Sequence, residues 1–247
     1  MPEGDTIHRT AATLQKALAG KVVTRYETML PKIEAPLRGR TIERVVAAGK
    51  HLIIDFSGDL HLRTHMRMNG QWHIYRPGER WRRPRRDMRV VIETADFVAV
   101  GFNLPVAELV TGRELQRALH EQGPDLLAEF DVEEAVRRAR EHGEEEIADV
   151  LLNQRVAAGI GNIWKSESLF ARRINPFTKV KDLGDDALER LFLKARDLLR
   201  SSAAGNRPPI HVYSRRGEPC RICGTLIESR KQGVDARLTY WCPRCQP

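Results

Sequence analysis

The sequence predicts an α+β protein: a short amino-terminal helix leading into an antiparallel β-sandwich or barrel, then a helical region, then a terminal two-stranded hairpin. Three observations carry this expectation. Runs rich in Val, Ile, Thr and aromatics occupy residues 21–110, helical periodicity occupies the chain beyond residue 131, and all four cysteines fall in the last 28 of 247 residues.

After PEGD, Ile7, Ala11, Leu14 and Leu18 recur at helical spacing over residues 6–19, with Asp5 or Thr6 as the expected cap and Gly20 as the stop. The period then changes. KVVTRYETM, TIERVVAAGKHLIIDFS, LHLRTHMRM, QWHIYRP and MRVVIETADFVAVGF read as strands, broken at PK, SGD, NG and PG turns. The arginine run WRRPRR, residues 81–86, sits in one of the loops, where it is either a solvated face or a phosphate contact. EQGPDLLAEFD, residues 121–131, reads as a linker, because everything beyond it is helical until the cysteines. VEEAVRRAREH is a short helix and EEEIADVLLNQ a second, with Ile147, Val150 and Leu151 on one side. NIWKSESLFARR is a third, aligning Ile163, Glu167 and Phe170, and DDALERLFLKARDLLRSS a fourth, burying Leu188, Leu191, Ala195 and Leu198.

Between the second and third of these helices lies VAAGIG. Gly159 and Gly161 permit left-handed backbone or close approach, and Asn162 is expected at the N-cap of the following helix. A helix start with free N–H groups behind a glycine turn suits a phosphate, although the same residues also fit an ordinary capped helix.

The cysteines form CRIC, with Cys220 and Cys223, and CPRC, with Cys242 and Cys245, separated by 18 residues. Two such knuckles can close a tetrahedral tetrathiolate site around one zinc ion with no position open for water, so the metal is structural. Two disulfides are the competing reading, disfavoured in a reducing cytoplasm. TLIES and RLTYWC alternate as the strands of a hairpin with KQGVDA at its tip, and Arg230, Lys231 and Arg237 make it a candidate phosphate-backbone contact.

Lys and Arg number 41 against 33 Asp and Glu, a formal charge of +8. That surplus favours a polyanion such as nucleic acid, since each neutralised phosphate releases counterions. A membrane is disfavoured: there is no basic amphipathic anchor, and no apolar run approaches the roughly 18 residues of a membrane span. The polar PEGD start lacks the apolar segment of a signal peptide, so a cytoplasmic protein is expected.

PEGDTI at the start, AGIGNIWKSESLF in the middle and RGEPCRICGTLIES…RLTYWCPRCQ at the end occur together and in order. Together they resemble the formamidopyrimidine-DNA glycosylase and endonuclease VIII family of bifunctional DNA glycosylase/AP lyases, across essentially the whole chain. PEGDT leans towards the endonuclease VIII branch, since the other branch typically begins PELPEV. The resemblance implies an N-terminal helix plus antiparallel β-sandwich over residues 1–120, a linker at 121–131, a helix–two-turns–helix domain at 132–206 and a zinc-ribbon finger at 207–247. It also implies damaged, double-stranded DNA as the partner of a monomeric, nucleoid-associated enzyme.

Residue by residue, the family's nucleophilic N-terminal proline falls on Pro2, exposed once Met1 is removed, and the adjacent catalytic glutamate on Glu3. The lysine of the GKHL motif falls on Lys50, the IGN turn on Gly161 and Asn162, and the finger arginine on Arg237. Asn162 and Arg237 would grip phosphates flanking the lesion. HMRMNGQW corresponds to the loop that fills the space of an extruded base, with Arg67, Met68 and Asn69 as the wedge. Here the chain departs from the better-known endonuclease VIII pattern, which carries Gln, Leu and Tyr. An arginine expected just before GPD is also replaced, by Glu121 and Gln122. These departures leave the chemistry intact and put lesion preference in doubt.

The chemistry suits the residues. An α-amine titrates near about 8, below a lysine at about 10.4, so more of it is neutral and nucleophilic. A secondary amine attacking the sugar C1′ gives a cationic iminium, an electron sink for eliminating the 3′ phosphate. Glu3 and Lys50 would move protons. Taken alone, Glu3 could be a charge at a helix start, Lys50 a solvated strand residue and Met68 part of the core. A non-catalytic zinc-ribbon protein binding damaged or distorted DNA, or an RNA-binding factor, would need none of the Pro2, Glu3 and Lys50 set.

Overall fold

A computed structural model describes residues 2–247; Met1, whose removal the sequence leads one to expect, lies outside them. The described chain forms two compact units, one of Pro2 with residues 6–120 and one of residues 3–5 with 121–247.

In the first unit, helix α1 (Gly4–Leu18) buries Ile7, Ala11, Leu14 and Leu18 as their spacing predicts, and the chain turns at Gly20 with φ +75°. Eight strands follow: β1 (Arg25–Thr28), β2 (Ile42–Ala48), β3 (His51–Phe56), β4 (Leu60–His65), β5 (Gln71–Tyr75), β6 (Met88–Glu93), β7 (Val98–Phe102) and β8 (Val106–Val110). They form two antiparallel sheets, ordered β1-β6-β7-β5 and β2-β3-β4-β8. Two separate sheets make this a sandwich, not a barrel.

Strand alternation sorts the residues. Leu52, Ile54 and Phe56 of β3 join Val90 and Ile92 of β6 and the α1 stripe in one core. The other face of the β6–β7 pair carries Val91, Val100 and Phe102, which cluster with Tyr75 and are covered by Trp81.

Two expectations fail in this unit. TIERVVAAGKHLIIDFS reads as one strand, yet Ala48 pairs with His51, so Gly49 and Lys50 form a tight turn with Gly49 at φ +56°. Lys50 is therefore a turn residue, which glycine at 49 makes possible. Helix α2 (Gly112–His120) is not read from the sequence, although Leu115, Ala118 and Leu119 recur at helical spacing; of these only Leu115 is buried.

The second unit holds α3 (Val132–Arg140), α4 (Ile147–Leu152), α5 (Asn162–Arg172) and α6 (Asp185–Ala203) around a core including Ile147, Leu151, Trp164, Leu169, Leu191 and Phe192. Asp131 caps α3 by accepting the Glu134 N–H at 2.9 Å. Asp5 does not cap α1; it lies inside the first turn, and its carboxylate accepts the Ser202 hydroxyl at 2.6 Å.

The terminal hairpin pairs β9 (Glu228–Gln232) with β10 (Arg237–Trp241). Its tip is therefore residues 233–236, with Gly233 at φ +68° and Ala236 at φ +47°. Lys231 and Gln232 belong to a strand, not to the tip as expected. The apolar pair at 226–227 that suggests an earlier strand serves the knuckle instead: Leu226 bridges Pro219, and Ile227 packs on Cys220 and Cys242.

Candidate active site

The IGN turn is built around Glu3. Gln154 staples the preceding loop: its Nε2 donates to the carbonyls of Leu152 (2.7 Å) and Ile160 (3.1 Å), and its Oε1 accepts the Gly159 N–H (3.1 Å). Gly159 sits at φ +108°, a conformation side chains rarely adopt, and its carbonyl accepts the Gly4 N–H at 3.0 Å. The N-cap of α5 is Gly161 and not Asn162, which occupies the first helical position. Nor are the helix-start donors free. The buried Glu3 carboxylate accepts the N–H groups of Gly161 (3.2 Å), Ile163 (2.7 Å) and Trp164 (3.3 Å).

A helix start has four N–H groups without intrahelical partners, and an anion there is favoured by charge-assisted bonds and by the dipole. Here Glu3 takes three of the four, leaving that of Asn162. A Cβ at Gly161 would overlap the Glu3 carboxylate, so glycine is required by space rather than by backbone angle. Glu3 is thus the charge at a helix start that its residue type suggested, but of a helix far along the chain.

The same helix holds the hairpin. The Asn162 Nδ2 donates to the Leu238 carbonyl at 2.8 Å, which sets the residue beside Arg237. One turn on, the wholly buried Lys165 donates from Nζ to the Thr239 hydroxyl at 2.7 Å. Sequence reasoning missed Lys165. Its only signal was a lysine between Trp164 and the Glu167–Phe170 face. Burial pushes its pKa down to about 8, against the pull of the Asp149 and Glu3 carboxylates and together with repulsion from Arg237.

A lysine disfavoured as a cation when folded gives stability that rises with pH, because the unfolded chain retains its proton up to about 10.5. Between pH 8 and 10.5 the rise due to Lys165 is expected to be on the order of 3 kcal/mol. Urea unfolding of Lys165→Met at the two pH values is expected to lack that increment; equal increments in both proteins would refute the assignment.

Glu167, also unrecognised as structural, is buried and accepts the N–H groups of His211 (2.9 Å), Val212 (2.9 Å) and Tyr213 (2.8 Å), fixing the loop after α6.

In the first unit, Lys50 and the loop carrying Arg67, Met68 and Asn69 meet around His65. His65 faces His51 in an edge-on pair, ring centroids 5.0 Å apart, and its Nδ1 accepts the Arg67 N–H at 2.9 Å. Burial, then the cations Lys50, Arg67 and Arg63, push the His65 pKa down to about 4, so this nitrogen is unprotonated at neutral pH and can accept that bond. Arg67 stands at φ +43°, and Gly70 passes so close to Met66 that a Cβ would lie 2.6 Å from its carbonyl oxygen. Met68 is 60% exposed and so does not belong to the core.

The four cysteines carry free thiols, all Sγ atoms lying within 4.8 Å of one another. Separations of 3.4 Å (Cys223–Cys242), 3.5 Å (Cys223–Cys245) and 3.9 Å (Cys220–Cys245) bracket the edge of about 3.8 Å of a tetrahedron with Zn–S bonds of about 2.3 Å. They are too long for disulfides, and the residues fit one structural zinc ion.

Sandwich, glycine-turn helix and cysteine hairpin together define a class of base-excision proteins. The formamidopyrimidine-DNA glycosylase N-terminal domain matches residues 1–105, the H2TH domain of formamidopyrimidine-DNA glycosylase residues 122–211, and the zinc finger found in FPG and IleRS residues 217–247. The chain belongs to the formamidopyrimidine-DNA glycosylase and endonuclease VIII family. Among its relatives, a probable endonuclease 8 2 of Streptomyces coelicolor is 40% identical, covering 100% of this chain and 94% of the relative. The DNA-(apurinic or apyrimidinic site) lyase Nei2 of Mycolicibacterium smegmatis is 37% identical, covering 100% and 99%. In fold the chain matches Lactococcus lactis formamidopyrimidine-DNA glycosylase bound to DNA containing an AP site, with a TM-score of 0.87 at 23% identity over 99% of both chains. No helix among the described residues is long and apolar enough to cross a membrane.

Proposed function

We propose that this protein is a bifunctional DNA glycosylase/AP lyase of base excision repair, acting as a nucleoid-associated monomer on damaged double-stranded DNA. Residues 1–120 form its catalytic domain, 121–131 a linker, 132–206 the helix–two-turns–helix domain and 207–247 the finger. The observation that carries this reading is the anchoring of Glu3. A carboxylate next to Pro2 is buried and bound by three N–H groups of the IGN turn and the first residues of α5, so the residue beside the nucleophile is held in place instead of fraying.

With Met1 removed, the Pro2 nitrogen attacks C1′ of the damaged nucleotide, and the base departs with the bonding electrons and a proton supplied by Lys50. Glu3 takes the proton that the Pro2 nitrogen sheds as the base leaves and returns it to the ring oxygen as the sugar opens, leaving an iminium between Pro2 and C1′. That cation acidifies the 2′ position. Loss of a 2′ proton expels the 3′ phosphate, and water finally hydrolyses the iminium to release the enzyme. Arg67, Met68 and Asn69 occupy the space left by the extruded base, offsetting part of the few kcal/mol of unstacking. Asn162, with Gly161 behind it, and Arg237 hold the backbone phosphates, and zinc, when bound, keeps the hairpin that carries Arg237 in shape.

Incubation with an abasic-site duplex and borohydride is expected to give a covalent protein–DNA adduct, and strand cleavage without borohydride. Salt-dependent binding with neither adduct nor nick would leave a non-catalytic DNA binder. Cys242→Ser is expected to weaken duplex binding by more than about 10-fold while the melting of the first unit is unchanged. Wild-type affinity in that variant would separate the finger from DNA recognition.

A further inference from the structure

The arginine loop between β5 and β6 is not used by the mechanism above. We propose that it is a second phosphate-binding surface, which tracks the DNA backbone beyond the nucleotides gripped at the lesion; the inference rests on the glycosylase reading of the active site. The loop together with the first two residues of β6, residues 76–89, contains seven arginines against Glu79 and Asp87, a surplus of five positive charges where the whole chain has a surplus of eight.

The loop is built rather than slack. Trp81 stacks on Tyr75 (centroids 6.5 Å apart) and meets Phe102 edge-on (5.8 Å), covering the outer face of the sheet. The Arg82 N–H donates to the Tyr75 hydroxyl at 3.1 Å, and a short turn after Pro84 is closed by Asp87 N–H to Pro84 carbonyl at 3.0 Å. Some of the arginines are committed to this framework. Arg85 pairs with Glu27 at 2.5 Å and lies over the Trp81 ring, Arg83 donates to Gln71 at 3.1 Å, and Arg89 donates to the Arg86 carbonyl at 3.0 Å.

Arg80, Arg82 and Arg86 are not committed. All three are exposed, and their guanidinium groups have no hydrogen bond or ion pair among the described residues. A protein surface seldom concentrates like charge on a fixed loop without neutralising it, because the repulsion destabilises the fold. A row of phosphates supplies the missing charge.

The loop also adjoins the wedge. Arg83 and Arg89 line a cavity of about 630 Å³ together with Arg67, Met68 and Asn69. A duplex with its lesion at the wedge therefore has its backbone next to the arginines. This continuity selects the same DNA molecule as the occupant, since a separate polyanion would compete for the same place.

The test is the salt dependence of binding to an abasic-analogue duplex. Each phosphate that the protein no longer neutralises lowers the slope of log K against log salt by about 0.9. Replacing Arg80, Arg82 and Arg86 together by Ser is expected to lower the slope by about 2–3 and the affinity by roughly 10–100-fold at moderate salt. Single-turnover cleavage at saturating protein stays unchanged. The Arg→Lys triple variant, which keeps the charge, is expected to restore the slope, and an unchanged melting temperature confirms that the Ser variant is folded. A control removes as many cations elsewhere, as Lys16, Arg113 and Arg117 to Gln, and is expected to change the slope by less than about one. An unaltered slope in the loop variant, or an equal fall in the control, overturns the proposal while leaving borohydride trapping intact. Absence of trapping in the wild-type protein overturns the glycosylase reading instead.

Discussion

With the Pro2 nitrogen blocked, by retention of Met1 or by an added residue, the protein is expected to form no borohydride adduct on an abasic duplex and to lose more than about 1,000-fold in strand cleavage. The reason is electronic. Acylation turns the secondary amine into an amide whose lone pair is delocalised into the carbonyl, so it can neither attack C1′ nor carry the iminium charge. Pro2→Gly with a free terminus is a sharper probe. Its primary amine can still form a Schiff base, so weak trapping is expected where the blocked protein gives none. Undiminished trapping with Pro2 blocked would move the nucleophile to a lysine, with Lys50 the first to be replaced.

Replacement of Glu3 is expected to separate two roles of one side chain. Glu3→Ala leaves three N–H groups of the α5 start without their acceptor, and buried donors left unsatisfied cost about 1–3 kcal/mol each before water or relaxation compensates. A net loss of about 3 kcal/mol, or roughly 6–12 °C in melting temperature, is expected. Glu3→Gln keeps one acceptor oxygen and nearly the same shape, so its melting temperature should fall by less than half as much. Both variants are expected to lose base release in single-turnover assays, because neither can donate and recover a carboxyl proton. Gly161→Ala provides an independent check, since its Cβ would displace the same carboxylate. A Glu3→Gln protein that released bases at the wild-type rate would reduce Glu3 to a structural anion.

The parts of this molecule that could be read from its sequence are those governed by local rules. Two C-x2-C knuckles specify a thiolate cluster because four sulfurs at that spacing have few other uses, and the four Sγ atoms do converge. The stripe on α1 and the alternation in β3 and β6 are likewise consequences of period, and the core follows them. What escaped depends on partners distant in the chain. Nothing near Asn162 indicates that its helix is capped by residue 3, and the vacant position at Gly161 is intelligible only with that carboxylate in view. Lys165 is polar by type, so its burial against Thr239 contradicts every local expectation. Lys50 escaped for a subtler reason: apolar runs on both sides of Gly49 hide a two-residue turn, and only the pairing of Ala48 with His51 exposes it.

The bonds from Glu3 to residues 161, 163 and 164 span 158 to 161 positions of sequence. A growing polypeptide emerges low numbers first, so this set of bonds cannot be complete before residue 164 has been made. At about 5–20 residues per second that is a delay of roughly 8–30 s after Glu3 is made. Glu3, among the first residues synthesised, is thus among the last to find its hydrogen-bond partners. A fragment ending before the IGN turn would carry the Glu3 carboxylate without the N–H groups that anchor it.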